Sequence, residues 1–228
     1  MATTESPDGL RRVRSFVRRP GRLTPAQRRA LDELLPRYCL DADQADARAA
    51  FAVPAPLVVE IGFGNGEALV GMAANEPQRN FLGIEVHEPG VGRALRALDE
   101  AGLDNVRVAM RDAVEVFDRQ IRPGSLEQVR IYFPDPWPKK RHHKRRIVQA
   151  DFVERLGTAL GPGGLLHLAT DWAPYAEWMR DVIGGLDTVF VNQGQPFVER
   201  PSWRPRTRFE RRGLGRGHAI FDLLYVRR

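Results

Sequence analysis

From residue 57 onward, short continuous apolar runs alternate with segments of helical length. The runs fall at 57–61, 80–86, 106–110, 129–133 and 165–170, and a continuous apolar run bounded by turn residues is the pattern of a parallel strand buried on both faces. Together with the spacers they predict a doubly wound α/β domain over 57–228, with a mostly parallel central sheet and helices on both faces. Val148, Phe152, Leu156 and Leu160 repeat at helical spacing before the 165–170 run, and a further strand is predicted at 219–226. Upstream, Thr24-Pro25-Ala26-Gln27 combines an N-cap threonine, a proline at the first helical position and a capping-box glutamine. Apolar Ala30, Leu31, Leu34 and Leu35 follow, which predicts a helix over 25–35. Residues 41–56 are rich in alanine and aspartate and end in Pro54 and Pro56, so 23–56 reads as an N-terminal helix and linker. Residues 1–22 hold Arg11, Arg12, Arg14, Arg18, Arg19 and Arg22 without an apolar face and read as a flexible basic arm.

Charge narrows the partner. The chain has 228 residues, a net charge of +6 and a sequence pI near 10.1, which favours a polyanion, nucleic acid first. All three lysines, Lys139, Lys140 and Lys144, sit in one short stretch. The lone Cys39 excludes an intrachain disulfide framework and a cysteine zinc site, and suits a reducing compartment. The arginines of residues 1–22 precede no apolar core, and no apolar run approaches membrane-spanning length. The expectation is a soluble cytoplasmic protein with no metal, no membrane association and no obligate protein partner.

Candidate chemistry begins at Glu60-Ile61-Gly62-Phe63-Gly64-Asn65-Gly66, between the first strand and a helix. In a Rossmann-like fold that loop brings backbone against a nucleotide cofactor. The third glycine of a dinucleotide pattern would fall at Glu67, where a carboxylate at a helix N-terminus repels a pyrophosphate. Acids also stand at successive strand ends: Glu60, Glu85, Asp112 and Asp135. A crevice lined by them suits a cofactor with hydroxyls, an amine and a positive centre but no phosphate, which describes S-adenosylmethionine. Glu85 is placed for ribose hydroxyls and Asp112 for an adenine amino group, although any one strand-end acid also serves as a helix cap.

Asp135 lies between Pro134 and Pro136, which hold it in an extended turn. Trp137 beside it offers either a stacking surface for an extruded base or an anchor for the loop. Lys139, Lys140, Arg141, Lys144, Arg145 and Arg146, with His142 and His143, then supply phosphate contacts. Two later acids, Asp171 and Glu210, could accept from the N1 and N2 hydrogens of guanine if the fold brings them near Asp135.

The glycine loop, Ile84-Glu85-Val86, Pro134-Asp135-Pro136-Trp137 with its basic tail, Thr170-Asp171 and Thr207-Arg208-Phe209-Glu210 together resemble the bacterial tRNA (guanine-N7-)-methyltransferase family from about residue 55 to the end. The resemblance implies a class I S-adenosylmethionine-dependent methyltransferase fold with a C-terminal antiparallel strand. The acceptor it implies is a guanine in the tRNA variable loop, at position 46 of tRNA in that family. By matching motifs, Glu60, Gly62, Gly64, Gly66, Glu85, Asp112 and Asp135 would hold the cofactor, with Asp135 also catalytic. Lys139, Asp171, Thr207, Arg208, Phe209 and Glu210 would contact substrate, and the 141–146 stretch would meet RNA. Guanine N7 already carries an in-plane lone pair, so Asp135 is expected to act as a fixed anion rather than as a base. The alternatives are a methyltransferase for another RNA or a protein, a noncatalytic RNA-binding module and, last, a nicotinamide oxidoreductase.

Overall fold

The computed structural model describes residues 15–16, 22–194 and 196–228. Most of the basic arm expected over 1–22 therefore lies outside the described residues. The N-terminal helix α1 (Pro25–Glu33) carries the capping box: Gln27 N donates to the Thr24 hydroxyl at 3.2 Å, and Thr24 N donates to the Gln27 side-chain oxygen at 2.9 Å. It stops two residues before the predicted end, and Pro36 sits in the first turn of a separate short helix, α2 (Leu35–Tyr38). Between α2 and the first strand, a 3-10 helix (Ala47–Ala50) precedes Phe51, and Leu40, Ala47 and Phe51 are buried in the main core.

The sheet has seven strands: β1 (Leu57–Ile61), β2 (Asn80–Ile84), β3 (Val106–Ala109), β4 (Leu126–Tyr132), β5 (Leu160–Thr170), β6 (Phe190–Asn192) and β7 (Phe221–Arg227). Their order is β3-β2-β1-β4-β5-β7-β6, with β7 antiparallel to both neighbours and the other pairings parallel. The chain runs outward from β1 to β3 and returns at β4, so the order reverses between β1 and β4. That is where an open α/β sheet leaves a crevice beyond its strand ends. The helices α3 (Glu67–Asn75), α4 (Glu88–Glu100), α5 (Ala113–Gln120), α6 (Ala150–Ala159) and α7 (Ala173–Gly184) connect the strands, and α8 (Arg208–Leu214) precedes β7.

Two differences from the sequence expectation have local causes. Leu160, expected to extend the preceding helix, instead leaves it with extended dihedrals and opens β5 ahead of Gly161-Pro162-Gly163-Gly164. β6 was not expected, because three residues at a sheet edge are too few to show an alternation.

One sheet face buries Val59, Ile61, Ile131 and Leu168 against Phe117, Phe152 and Met179 of α5, α6 and α7. The opposite face packs Val58 and Phe81 against Leu69, Met72, Val91 and Leu95 of α3 and α4. This second face also carries a buried polar row: Glu60 on β1, Gln128, Arg130 and Tyr132 on β4, His167 on β5 and Asp222 on β7. Trp203 and Arg204, from the loop before α8, cover part of that row, with the Arg130 guanidinium over the Trp203 ring at 5.0 Å and His167 edge-on to it at 4.9 Å.

Candidate active site

The glycine loop bends through three residues with positive φ: Gly62 at 76°, Gly64 at 59° and Gly66 at 78°. A side chain at these positions would be strained, so the loop requires glycine. Glu85 clamps it. One carboxylate oxygen accepts from Gly64 N at 2.9 Å, and the other accepts from Val86 N at 2.6 Å and His87 N at 3.0 Å. Gly90, in the first turn of α4, lets that helix approach so closely that a Cβ there would stand 2.2 Å from the Gly64 carbonyl oxygen.

Glu60 lies beneath the loop and is 3% exposed, with its Oε2 making no hydrogen bond within the described residues. Burial pushes its carboxyl up to about 7, against the opposing pull of the nearby Arg130 cation. A buried carboxylate oxygen without a donor, under a loop of three positive-φ glycines, is suited to a cationic amine. Asp112 follows β3 and caps α5, accepting from Val114 N at 3.0 Å. The acids expected to hold a cofactor thus occupy the ends of four adjacent strands.

Asp135 follows β4 and is exposed. Its loop is strained on either side, for Phe133 has φ 51° and Trp137 has φ 44° although neither is glycine. Phe133 N donates to the Ala169 carbonyl at 2.8 Å, tying the start of the loop to β5. Trp137 is half-buried among local partners. Its Nε1 donates to Ser15 O at 3.3 Å, the Arg145 guanidinium lies 5.3 Å over its ring, and His142 meets it edge-on.

The basic run forms a 3-10 helix (Lys140–Arg145). Lys139, Lys140, Arg141 and Lys144 are exposed, and His142, His143 and Arg145 are partly so. Arg146 differs from expectation: it is 3% exposed, so its guanidinium is withheld from a phosphate. The crowded cations and desolvation hold His142 below its ordinary pKa, desolvation being the larger cause.

The C-terminal elements reach the same crevice. It is lined by Glu60, Gly62 and Asn65 together with Phe133, Thr207 and Phe209. Phe209 is 58% exposed beside the glycine loop, and Arg208 is exposed next to it. The Thr207 hydroxyl caps α8 by accepting from Glu210 N at 3.1 Å. Glu210, expected near guanine, is 2% exposed and turned inward, where Arg204 Nη1 donates to it at 2.6 Å. Asp171 stands at the end of β5 with its carboxylate 3.2 Å from His218 Nδ1. Glu67 pairs with Arg211 at 2.5 Å, which ties α3 to α8. Lys139 is exposed at the start of the basic helix.

Sequence reasoning did not single out Gly90, Tyr132, His167, Arg204 or Asp222. Only Gly90 left a local signal, as a glycine in the first turn of a helix facing a glycine loop. Among the described residues no group of three or more His, Cys, Asp or Glu is arranged to hold a metal, and no helix is long and apolar enough to cross a membrane.

Residues 54–223 match the model of a family described as "Putative methyltransferase". A tRNA (guanine-N(7)-)-methyltransferase of Xanthomonas campestris pv. campestris (strain 8004) is 56% identical over 224 residues, covering 96% of this chain and 85% of its own. One of Halorhodospira halophila (strain DSM 244 / SL1) is 54% identical over 220 residues, covering 94% and 95%. Among solved structures, a variant 16S rRNA (adenine(1408)-N(1))-methyltransferase with cosubstrate SAM, from Catenulisporales acidiphilia, superposes with a TM-score of 0.54 at 16% identity. It covers 79% of this chain and 88% of its own, a likeness of fold.

Proposed function

The chain belongs to the bacterial tRNA (guanine-N7-)-methyltransferase family, whose members methylate guanine N7 in tRNA, and we propose how its residues divide that work and that the target lies in the variable loop, at position 46 of tRNA. The observation that carries the assignment of roles is Glu60: a buried carboxylate with one oxygen lacking a donor, beneath three glycines of positive φ. That arrangement fits the amine of S-adenosylmethionine, with Glu85 and Asp112 at the neighbouring strand ends for the nucleoside and no cation cluster in the loop that would call for a phosphate. When bound, the cofactor supplies an electrophilic methyl group on a sulfonium centre.

The protein's part is position and charge. Guanine N7 needs no deprotonation, so the barrier falls by fixing the purine in line and by placing an anion where positive charge develops. Asp135 is that anion, held rigid by its flanking prolines at the end of β4. Lys139, Lys140, Arg141, Lys144 and Arg145 present cations on the same loop, where they hold the tRNA backbone. Arg208, Phe209 and Asp171 face the acceptor base from the other wall. N7 is hidden in the deep groove of an A-form helix, so the enzyme acts on a base made accessible by loop or tertiary structure.

The test is incubation with unmodified tRNA and S-adenosylmethionine, followed by borohydride reduction and aniline cleavage at 7-methylguanosine. Cleavage is expected at one variable-loop guanine. Cofactor binding with no cleavage there would reject the assignment.

A further inference from the structure

We infer that Arg146, the last cation of the basic run, is a positioning residue for Asp135 and not an RNA contact; this deepens the role given to Asp135 above and rests on it. The guanidinium lies between two rings of α7, 4.8 Å from the Tyr175 centroid and 5.0 Å from that of Trp178. Its Nε donates to the Pro136 carbonyl at 3.0 Å, and an Nη2 stands 3.2 Å from His143 Nε2. Gln149 closes the arrangement from behind, its side-chain amide donating to the carbonyls of His143 at 2.8 Å and Arg146 at 3.2 Å.

A buried cation is costly unless a carboxylate pairs with it. Among the described residues Arg146 forms no ion pair within 4.0 Å, and burial lowers its pKa from the ordinary arginine value. What it gains instead is two aromatic faces, the His143 ring nitrogen and one carbonyl. That carbonyl belongs to the residue immediately after Asp135. Proline has no N–H, so its carbonyl is the single backbone polar group by which Pro136 can be held. The same carbonyl begins the peptide leading into Trp137, whose φ of 44° would relax if nothing held the plane.

Asp135 is thereby fixed from both sides. On its N-terminal side Phe133 N is bonded to Ala169 of β5, and on its C-terminal side Pro136 O is bonded to Arg146, which is itself wedged against α7. Arg146 acts on Asp135 through one peptide unit. The remaining cations of the run are left to the tRNA.

The experiment compares Arg146→Lys, which keeps the charge but loses the flat fork, with Arg141→Gln in the full chain. Turnover, tRNA affinity against salt concentration, cofactor affinity and melting temperature are measured for each. For Arg146→Lys we expect a fall in kcat of about 10-fold to 100-fold, as for a reacting group displaced by a fraction of an ångström to about 1 Å. Its tRNA affinity, salt slope and cofactor affinity should stay within about twofold of the parent. Arg141→Gln should weaken tRNA binding and flatten the salt slope by about 0.7–0.9. A salt slope flattened by Arg146→Gln as much as by Arg141→Gln, with kcat intact, would make Arg146 an RNA contact, and joint loss of cofactor affinity and melting temperature in Arg146→Lys would make it a general structural residue; either overturns the proposal.

A double-mutant cycle with Asp135→Asn, read in single-turnover reactions at high enzyme concentration, separates this inference from the reading beneath it. Arg146→Lys should cost much less in the Asp135→Asn background than in the parent. Equal cost in both backgrounds means that Arg146 does not act through Asp135. Undiminished rate in Asp135→Asn alone removes the role of Asp135 instead.

Discussion

Arg204 grips Asp222 with both arms of its fork, Nε to Oδ1 at 2.7 Å and Nη2 to Oδ2 at 2.9 Å, with both side chains at 2% exposure or less. The same guanidinium also holds Glu210, and Asp222 accepts from His167, whose other ring nitrogen meets the Tyr132 hydroxyl at 2.9 Å. One cation therefore joins α8, β7, β5 and the end of β4. Replacing it removes the cation shared by two buried carboxylates, leaving Asp222 with His167 and Glu210 with the more distant Arg200 at 3.8 Å. Arg204→Ala should lose about 3–5 kcal/mol of stability in urea unfolding, whereas Arg204→Lys should recover part of it.

Glu60 should make cofactor affinity depend on pH. Burial raises its folded pKa from an ordinary 4.5 to about 7, so between those values the folded protein holds a proton that the unfolded chain has released. Its contribution to stability is thus present below the unfolded value and is lost as pH rises toward 7, by about 3 kcal/mol in all. A cationic amine beside the carboxylate reverses the preference, so binding releases the proton. S-adenosylmethionine affinity measured calorimetrically should weaken by up to about tenfold per pH unit below 7, with proton release on binding. Glu60→Gln should bind weakly at every pH and lose that dependence.

Gly90 should matter without touching either substrate. A methyl group there meets the Gly64 carbonyl at 2.2 Å, backbone against backbone, and the loop must move. Gly90→Ala should weaken cofactor binding by at least about tenfold while tRNA affinity in the absence of cofactor is unchanged. Equilibrium dialysis for the cofactor and filter binding for tRNA would read the two separately.

Asp135→Asn preserves shape and removes charge. If the carboxylate works by electrostatics, kcat should fall by about 10²-fold or more, comparable to the loss of one preorganised donor in other enzymes. Affinity for tRNA and the melting temperature should be unchanged. Near-parental turnover with intact binding would show that the charge is irrelevant.

The strands at 57–61, 80–84 and 106–109 were legible because a buried parallel strand declares itself in its own few residues, without reference to what it pairs with. The glycine loop and the acids at the ends of β1 to β4 were legible for the same reason: they sit at fixed offsets from a strand end. The basic run was legible only as a run. Nothing in the run from 141 to 146, four cations around two histidines, distinguishes the exposed Arg141 from the buried Arg146.

What separates those two is distant in the chain. Tyr175 and Trp178 come from α7, about thirty positions on, and they enclose Arg146 while leaving Arg141 in water. Glu210 is turned from a candidate base contact into an ion-pair partner by Arg204 and a loop that folds over β7. The sequence alone determined the order of the parallel strands and the kinds of chemistry available, since both are written in local spacing and residue type. Only the tertiary structure decided which charges face substrate and which hold the scaffold, because burial and pairing depend on residues brought together from opposite ends of the sheet.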